Sequence, residues 1–343
     1  MTTLEQTAFL VSACPKHMTY GPCGGVSPAG ACEVVGVSCP FVDRAIPTWA
    51  GSSPVQTRVT PAGQTFLELL ERRPVVVTDF STTPMDARSL EAAAKPLVGS
   101  CDAVLMGDHG GARVQFPPSY RALLALQAGL NPWLGLNCRD RNRVALEGEL
   151  AALEHLNVTG VHAITGDHTQ SGHRPDAQPV FDLDSTQLAS LARSRGLLVS
   201  VGESPLTAPV LERPFRLAQK VRAGAQICFV NHAGAGEATL EFIESARGQG
   251  AEIPFIAGVA VVTSAVSARL IRNFHNLVLP PHYLERILEA DNPRRAGIKA
   301  AIWLGEQLLK VPGVRGLNLS AVPEAGRELE LAQDLAEVGR AFL

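Results

Sequence analysis

The chain has 343 residues, 46% of them hydrophobic and 18% charged, with a formal net charge of -3. That length and balance suit one large α/β unit with a small appendage and exclude a disordered or fibrous chain. The near-neutral charge leaves no basic footprint, so nucleic acid is not an expected partner. No apolar run approaches the ~20 residues needed to span a bilayer, so no membrane is expected either.

Residues Met1 to Ser12 have no positive segment followed by a long apolar core, so they do not read as a signal peptide. The expected compartment is the reducing cytoplasm, where cysteines serve more often as ligands or free thiols than as disulfides. Four of the seven cysteines, Cys14, Cys23, Cys32 and Cys39, fall within the first 40 residues. Their surroundings are dense in glycine and proline and poor in large apolar residues. A module over residues 1–50 could therefore not build a stable core alone. The spacing is Cys-x8-Cys-x8-Cys-x6-Cys, with Cys14 and Cys39 before prolines and Cys23 before a Gly-Gly pair. Glycines let a backbone fold tightly round a small inorganic centre and point N–H groups at sulfur. Four thiolates can hold a [4Fe-4S] cluster or a tetrahedral Zn2+, and a module this small needs its metal to fold. The polar stretch at 51–64 reads as a linker.

From 65 to 343 short apolar runs alternate with amphipathic ones. The runs lie at 74–80, 102–108, 132–138, 160–167, 197–204, 225–232, 253–260 and 313–320. Each is short and mostly apolar, as strands buried on both faces are. Leu146, Leu150 and Leu153 recur at helical spacing, and Ile298, Ile302, Gly305 and Leu309 nearly so. Strands alternating with helices predict parallel pairing, and eight such units match a closed (β/α)8 TIM barrel. An open doubly wound sheet is the alternative, but no G-x-G-x-x-G follows the first strand.

Active sites of such barrels sit at the C-terminal strand ends. Here those ends are polar: Asp79; Asp108 and His109; Asn137, Arg139 and Asp140; Gly166, Asp167 and His168; Glu203; Asn231 and His232. One polar end can simply cap the next helix, whereas six at one rim point to a ligand. No H-x-H or H-E-x-x-H pairing suggests a metal inside the barrel.

The segment LGLNCRDRNRVALEGELAALEHLNVTGVHAITGD, with the later VFDLDS, KVRAGAQ and FIAGVAVVTS in matching order, resembles methylenetetrahydrofolate reductases over about residues 70 to 343. The resemblance implies a barrel that binds a flavin, FAD in first place and FMN as the alternative. The flavin would take hydride from a reduced nicotinamide or an electron-carrier protein and pass it to methylenetetrahydrofolate. Carried over residue by residue, Asp140 matches an aspartate near flavin and pterin, and Asp167 one that contacts the ribityl chain. His168, His173 and Arg174 belong to a loop near the cofactor phosphate. Asn137, Ala163, Thr165 and Gly166 complete the cofactor side. Asp79 stands where the family has its general acid, a glutamate, and could relay a proton to N5 of the folate. Asn231 stands for a pterin-reading glutamine, Gly107 lies near a family threonine, and Ala265 near a family phenylalanine. These departures leave a related one-carbon carrier as an alternative substrate.

The run CPKHMTYGPCGG with the later GACEV resembles a small cysteine-rich domain associated with some of these reductases. With a flavin partner, the Cys-Pro pairs and glycines favour [4Fe-4S] over zinc. The expected function is flavin-dependent reduction of methylenetetrahydrofolate, with electrons entering through the N-terminal centre. The alternatives are a pterin-binding methyl-transfer barrel without redox chemistry, and an electron-transfer or assembly subunit. The sequence leaves open whether the chain forms an oligomer.

Overall fold

The computed structural model describes residues 3–53, 58–108, 112–171, 174–272, 274, 277–322 and 324–343. Helix α1 (Thr3–Ala13) opens the chain, and α2 (Pro61–Arg72) precedes the sheet. Then follow β1 (Val75–Asp79), α3 (Ala87–Ala94), β2 (Ala103–Met106), α4 (Pro118–Gln127), β3 (Pro132–Asn137) and α5 (Arg143–His155). Next come β4 (Gly160–Ile164), α6 (Ser185–Ser194), β5 (Val199–Glu203), α7 (Arg213–Arg222), β6 (Ile227–Val230) and α8 (Glu237–Gly248). The last are β7 (Phe255–Ala260), α9 (Ala265–Arg272), α10 (Tyr283–Leu288), α11 (Pro293–Leu308), β8 (Val314–Ser320) and α12 (Glu328–Gly339). The strands pair in parallel in sequence order, and β1 pairs with β8 to close the barrel. The barrel expectation is met, with a strand in each of the eight apolar runs.

Alternation along each strand makes two cores. Outward side chains meet the helices, and the predicted stripe Leu146, Leu150, Leu153 on α5 is fully buried there. On α11 the stripe sits differently from the spacing read in sequence. Ile298, Ala301, Leu304, Gly305 and Leu308 are buried, whereas Ile302 and Leu309 are only partly so. Gly305 is needed there because Phe342 and Leu317 crowd its backbone.

Inward side chains fill the barrel floor. Trp133 stands edge-on to Phe66 of α2 (4.9 Å) and to Phe229 of β6 (5.6 Å). Phe66 and Leu70 thus plug the N-terminal end of the barrel. The Thr60 hydroxyl caps α2 by accepting from Gly63 N–H, and proline sits within its first turn. Residues 61–64 are therefore helix, and the linker reading of 51–64 fails at its end because a proper N-cap precedes Pro61. Gly160 leaves the room that Trp133 occupies: a Cβ there would fall 2.5 Å from the indole Cε2. Gly160→Ala is expected to cost about 1–3 kcal/mol by overpacking, measured as a lower urea midpoint with unchanged slope.

The N-terminal segment has α1, a single antiparallel bridge between Ala31 and Ser38, and a small apolar cluster of Leu10, Cys14, Met18 and Phe41. It packs on the C-terminal mouth of the barrel. Asp184, fully buried, accepts from Thr186 and Gln187 N–H as the N-cap of α6. Its other oxygen accepts from Thr19 (3.1 Å) and Tyr20 (2.8 Å) N–H of the segment. One carboxylate thereby caps a barrel helix and latches the module. No helix among the described residues is long and apolar enough to cross a membrane.

Candidate active site

A cavity of about 1010 Å3 opens at the C-terminal strand ends. Its floor is the last inward layer of the barrel, including Asp79, His162, Phe229 and Asn318, and its roof includes Cys23 and Cys32 of the module. That volume is at the upper end of ordinary small-molecule sites.

Asp79 ends β1 and accepts from Asn318 Nδ2 at 3.0 Å. Burial raises its carboxyl to about 6, opposed by the Asn318 amide and the backbone at Ala321. A carboxyl so placed keeps its proton up to about pH 6, well above the ordinary range. Asn318 Oδ1 has no partner among the described residues. Two histidines, His162 half-buried and His232 buried, share the cavity wall. His162 is lowered to about 3 by burial and the Lys220 charge, and its Nδ1 lies 2.9 Å from Ser200 Oγ. His232 is lowered to about 4 by burial, with Nε2 at 2.7 Å from Ser320 Oγ. Both are neutral at physiological pH and so can polarise a ligand but hold no charge.

On the β5 side, Glu203 is buried among three cations. Arg216 and Lys220 (2.8 Å) bond its Oε1, and Arg213 stands 3.8 Å from Oε2. Burial pushes the Glu203 carboxyl up, but the three cations outweigh it and hold it below the usual range. Burial, with the Arg216 charge, lowers Lys220 to about 8. Arg213, lowered to about 10 chiefly by burial, donates to Cys23 O at 3.0 Å and so fastens the module to α7. On the β4 side, Lys16 of the module donates to Gly166 O at 2.8 Å and pairs with Glu33 at 2.7 Å.

The residues singled out in the sequence divide clearly. Asp79, Thr165, Gly166, Asp167 and Asn231 line the cavity. Gly166 takes φ +89°, and a Cβ there would press on Asn137 and Arg139, so glycine is required at this turn. The Asn231 amide donates to Ser204 Oγ at 3.2 Å. Asp140 is not brought in. It is exposed at the rim, where Arg139 grips it through two bonds of 2.7 and 2.6 Å. Burial pushes its carboxyl up, but Arg139 outweighs that and holds it below the usual range. Asn137 is buried with its amide engaged by Asp108 and its carbonyl by Asp140 N–H. Ala163 points out into the helix layer, because its strand neighbours take the inward positions. His168 stacks on Phe181, and its N–H donates to Glu33. Arg174 forms an exposed pair with Asp176. His109 and His173 lie outside the described residues.

Cys14, Cys23, Cys32 and Cys39 are free thiols gathered in one region. Cys23 and Cys39 pack on the cluster that contains Cys14, and the Cys23 charge reaches Cys14, Cys32 and Cys39. Burial raises Cys39 to about 11. Gly25 N–H points at Cys23 Sγ, 3.4 Å away. Among the described residues, no three His, Cys, Asp or Glu stand together closely enough to hold one metal ion.

Sequence reasoning missed Lys16, Glu33, His162, Asn318 and the cations of α7. A signal for the last was present. Arg213, Arg216 and Lys220 share one helix face, at i, i+3 and i+7, and that face is buried.

Residues 2–46 match a family described as Methylene-tetrahydrofolate reductase C terminal, here preceding the barrel. No curated protein matches the chain. Among solved structures it is similar to a protein from Aquifex aeolicus VF5, at 13% identity and a TM-score of 0.47, covering 82% of this chain and 96% of that one. It is also similar to 2,3-dimethylmalate lyase of the PEP mutase/isocitrate lyase superfamily, at 17% identity and a TM-score of 0.43, covering 80% and 93%. Residues 106–335, well over half of the chain, match the family described as Methylenetetrahydrofolate reductase. The match runs from the end of β2 to within α12, and by it the chain belongs to the methylenetetrahydrofolate reductase family of oxidoreductases.

Proposed function

We propose that the chain reduces methylenetetrahydrofolate, or a closely related one-carbon carrier, at a flavin bound in the mouth of the barrel. The observation that carries the proposal is Asp79, a half-buried carboxyl in the wall of a large cavity, raised to about 6. The cavity suits the flavin in size, and its unpartnered Asn318 Oδ1 is an acceptor for a ligand. When bound, the flavin supplies hydride to the methylene carbon. Asp79 holds the proton for N10 of the folate rather than N5, and Asn318 orients it. As N10 takes that proton and leaves the methylene carbon, the N5 lone pair turns the carbon into an iminium that can accept hydride. Asp167 and Asn231, which line the same cavity, offer carboxylate and amide to the ligands' polar edges. Asp140 acts at the rim by holding Arg139 rather than by touching the pterin.

The four-cysteine module is assigned to electron entry through a [4Fe-4S] cluster. One observation supports this: Cys23 and Cys32 line the same cavity as Asp79. Anaerobically purified protein should show flavin absorption and a brown shoulder that dithionite bleaches, and Cys23→Ser should lose iron. A colourless, zinc-replete protein would overturn both assignments. A yellow protein without iron would overturn only the second.

A further inference from the structure

A second, smaller cavity of about 250 Å3 adjoins the first. Asp79, Leu105 and Asp108 line both, so the two meet along one wall. Its size falls below the usual range for a whole small molecule, so it suits one arm of a larger ligand. Its other walls are the loop from Phe80 to Asp86 and three residues around the start of α4, Gln115, Phe116 and Arg121. The loop is pinned at its base. Ser89 Oγ accepts from Thr83 N–H at 2.9 Å, and Asp86 caps α3 by accepting from Arg88 and Ser89 N–H. Met85 is held at φ +57°, a conformation uncommon for a non-glycine residue, and remains exposed while lining the cavity.

Two features point to the chemistry of the arm. Phe80, Met85, Leu90, Leu105 and Phe116 give apolar walls, and Phe116 is set edge-on to Tyr120 at 5.0 Å. An aromatic ring fits such a lining. Arg121 is 8% exposed, and its single hydrogen bond among the described residues is to Gly107 O at 3.0 Å. The Asp108 charge reaches it, but the Asp108 carboxylate is bonded to Arg139, Asn137 and Gln115. The other guanidinium N–H groups are open to a ligand oxygen. Asp108 and Asp140 already balance Arg121 and Arg139, so the pocket suits a neutral acyl oxygen better than a further carboxylate.

We propose that this cavity holds the aminobenzoyl arm of the folate, with its ring against Phe116 and its amide carbonyl on Arg121. The proposal rests on the folate reading and adds which way the substrate lies. N10 carries both the methylene bridge and the aryl ring, and Asp79 stands on the wall between the two cavities. With N10 at Asp79, the methylene carbon and the pterin lie on the flavin side and the aryl ring on the other. Arg121 is then a specificity-determining residue that takes no part in hydride transfer.

Gly107 allows a test that leaves Arg121 in place. A Cβ there would meet nothing within 4 Å, and Gly107 lines this cavity and not the larger one. Gly107→Val therefore fills part of the pocket without crowding the fold. Flavin reoxidation by methylenetetrahydrofolate is followed against substrate concentration in the full-length, flavin-loaded, metal-replete protein. Arg121→Met should raise the half-saturating concentration about tenfold and change the limiting rate by less than about twofold, the pattern of lost uniform binding. Arg121→Lys should recover part of that loss, and Gly107→Val should weaken the substrate by a similar factor. Flavin affinity, read by fluorescence quenching, should be unchanged in all three. Unaltered half-saturation in both Arg121→Met and Gly107→Val would overturn the proposal and leave the folate reading standing. A loss of flavin affinity in place of substrate affinity would give the pocket to the cofactor and overturn it as well. Absence of reoxidation by methylenetetrahydrofolate in the wild type would overturn the folate reading itself.

Discussion

Asp79→Asn is expected to slow flavin reoxidation by methylenetetrahydrofolate by about 10²–10⁴-fold with flavin content retained. The amide keeps the shape of the carboxyl and can still bond Asn318, but it has no proton to give. In the wild-type protein the same rate should fall as pH rises through about 6, where the folded carboxyl ionises. Rapid-mixing kinetics between pH 5 and 8 read both effects. A reoxidation rate in Asp79→Asn equal to the wild type's would remove Asp79 from the proton path. Stability should move the opposite way. The carboxyl ordinarily ionises at 3.8, and the fold raises it to about 6. Between those values the unfolded chain has lost the proton and the folded chain has kept it. The wild type therefore loses stability across that window and carries a constant penalty above it. Asp79→Asn escapes the penalty, so its melting temperature should gain on the wild type's between pH 4 and 6 and hold that gain at higher pH. A site that trades stability for chemistry behaves in this way.

Glu203→Gln should be the most damaging single substitution in the barrel. Glu203 is the only carboxylate bonded to Arg216 and Lys220 among the described residues, and Arg213 depends on it as well. Its loss leaves three cations buried with no partner charge, an error that costs about 3–5 kcal/mol in comparable buried pairs. Lys220→Met should be milder, because Glu203 then keeps both arginines and the local excess falls. Chemical denaturation of the two variants gives the ordering. Equal losses would show that the cations are solvated independently of Glu203. Arg213 also bonds the backbone of the module at Cys23, so Glu203→Gln should in addition loosen the module and raise its susceptibility to proteolysis.

The barrel was legible because parallel strands covered by helices are apolar on both faces and short, so each of the eight leaves a compact signature. The α5 stripe was legible for a similar reason, since a helix laid on a sheet needs one apolar face. The α11 stripe was legible only in part: Ile298 and Gly305 are buried as read, but the buried Leu308 looks no different in sequence from Leu309, which is only partly so.

The strand ends were legible as a rim but not as a site. Asp79, Gly166, Asp167 and Asn231 face the cavity, while Asn137 and Asp140 turn to Asp108 and Arg139. Side chains at successive positions point to opposite sides, and only closure of the barrel decides which side is inside. Ala163 sits between His162 and Ile164, and that parity placed the histidine in the cavity and the alanine outside it.

By itself, then, the sequence determined the eight strands, their order, the polar rim at their ends and the four-cysteine segment. These depend on local periodicity and spacing. Only the tertiary structure decided that the segment roofs the barrel mouth, that Lys16 reaches Gly166 across 150 residues of chain, and that Arg213 reaches Cys23 across 190. Those contacts join charges whose mutual effect depends on burial and distance in space, and neither quantity is written in the local order of residues.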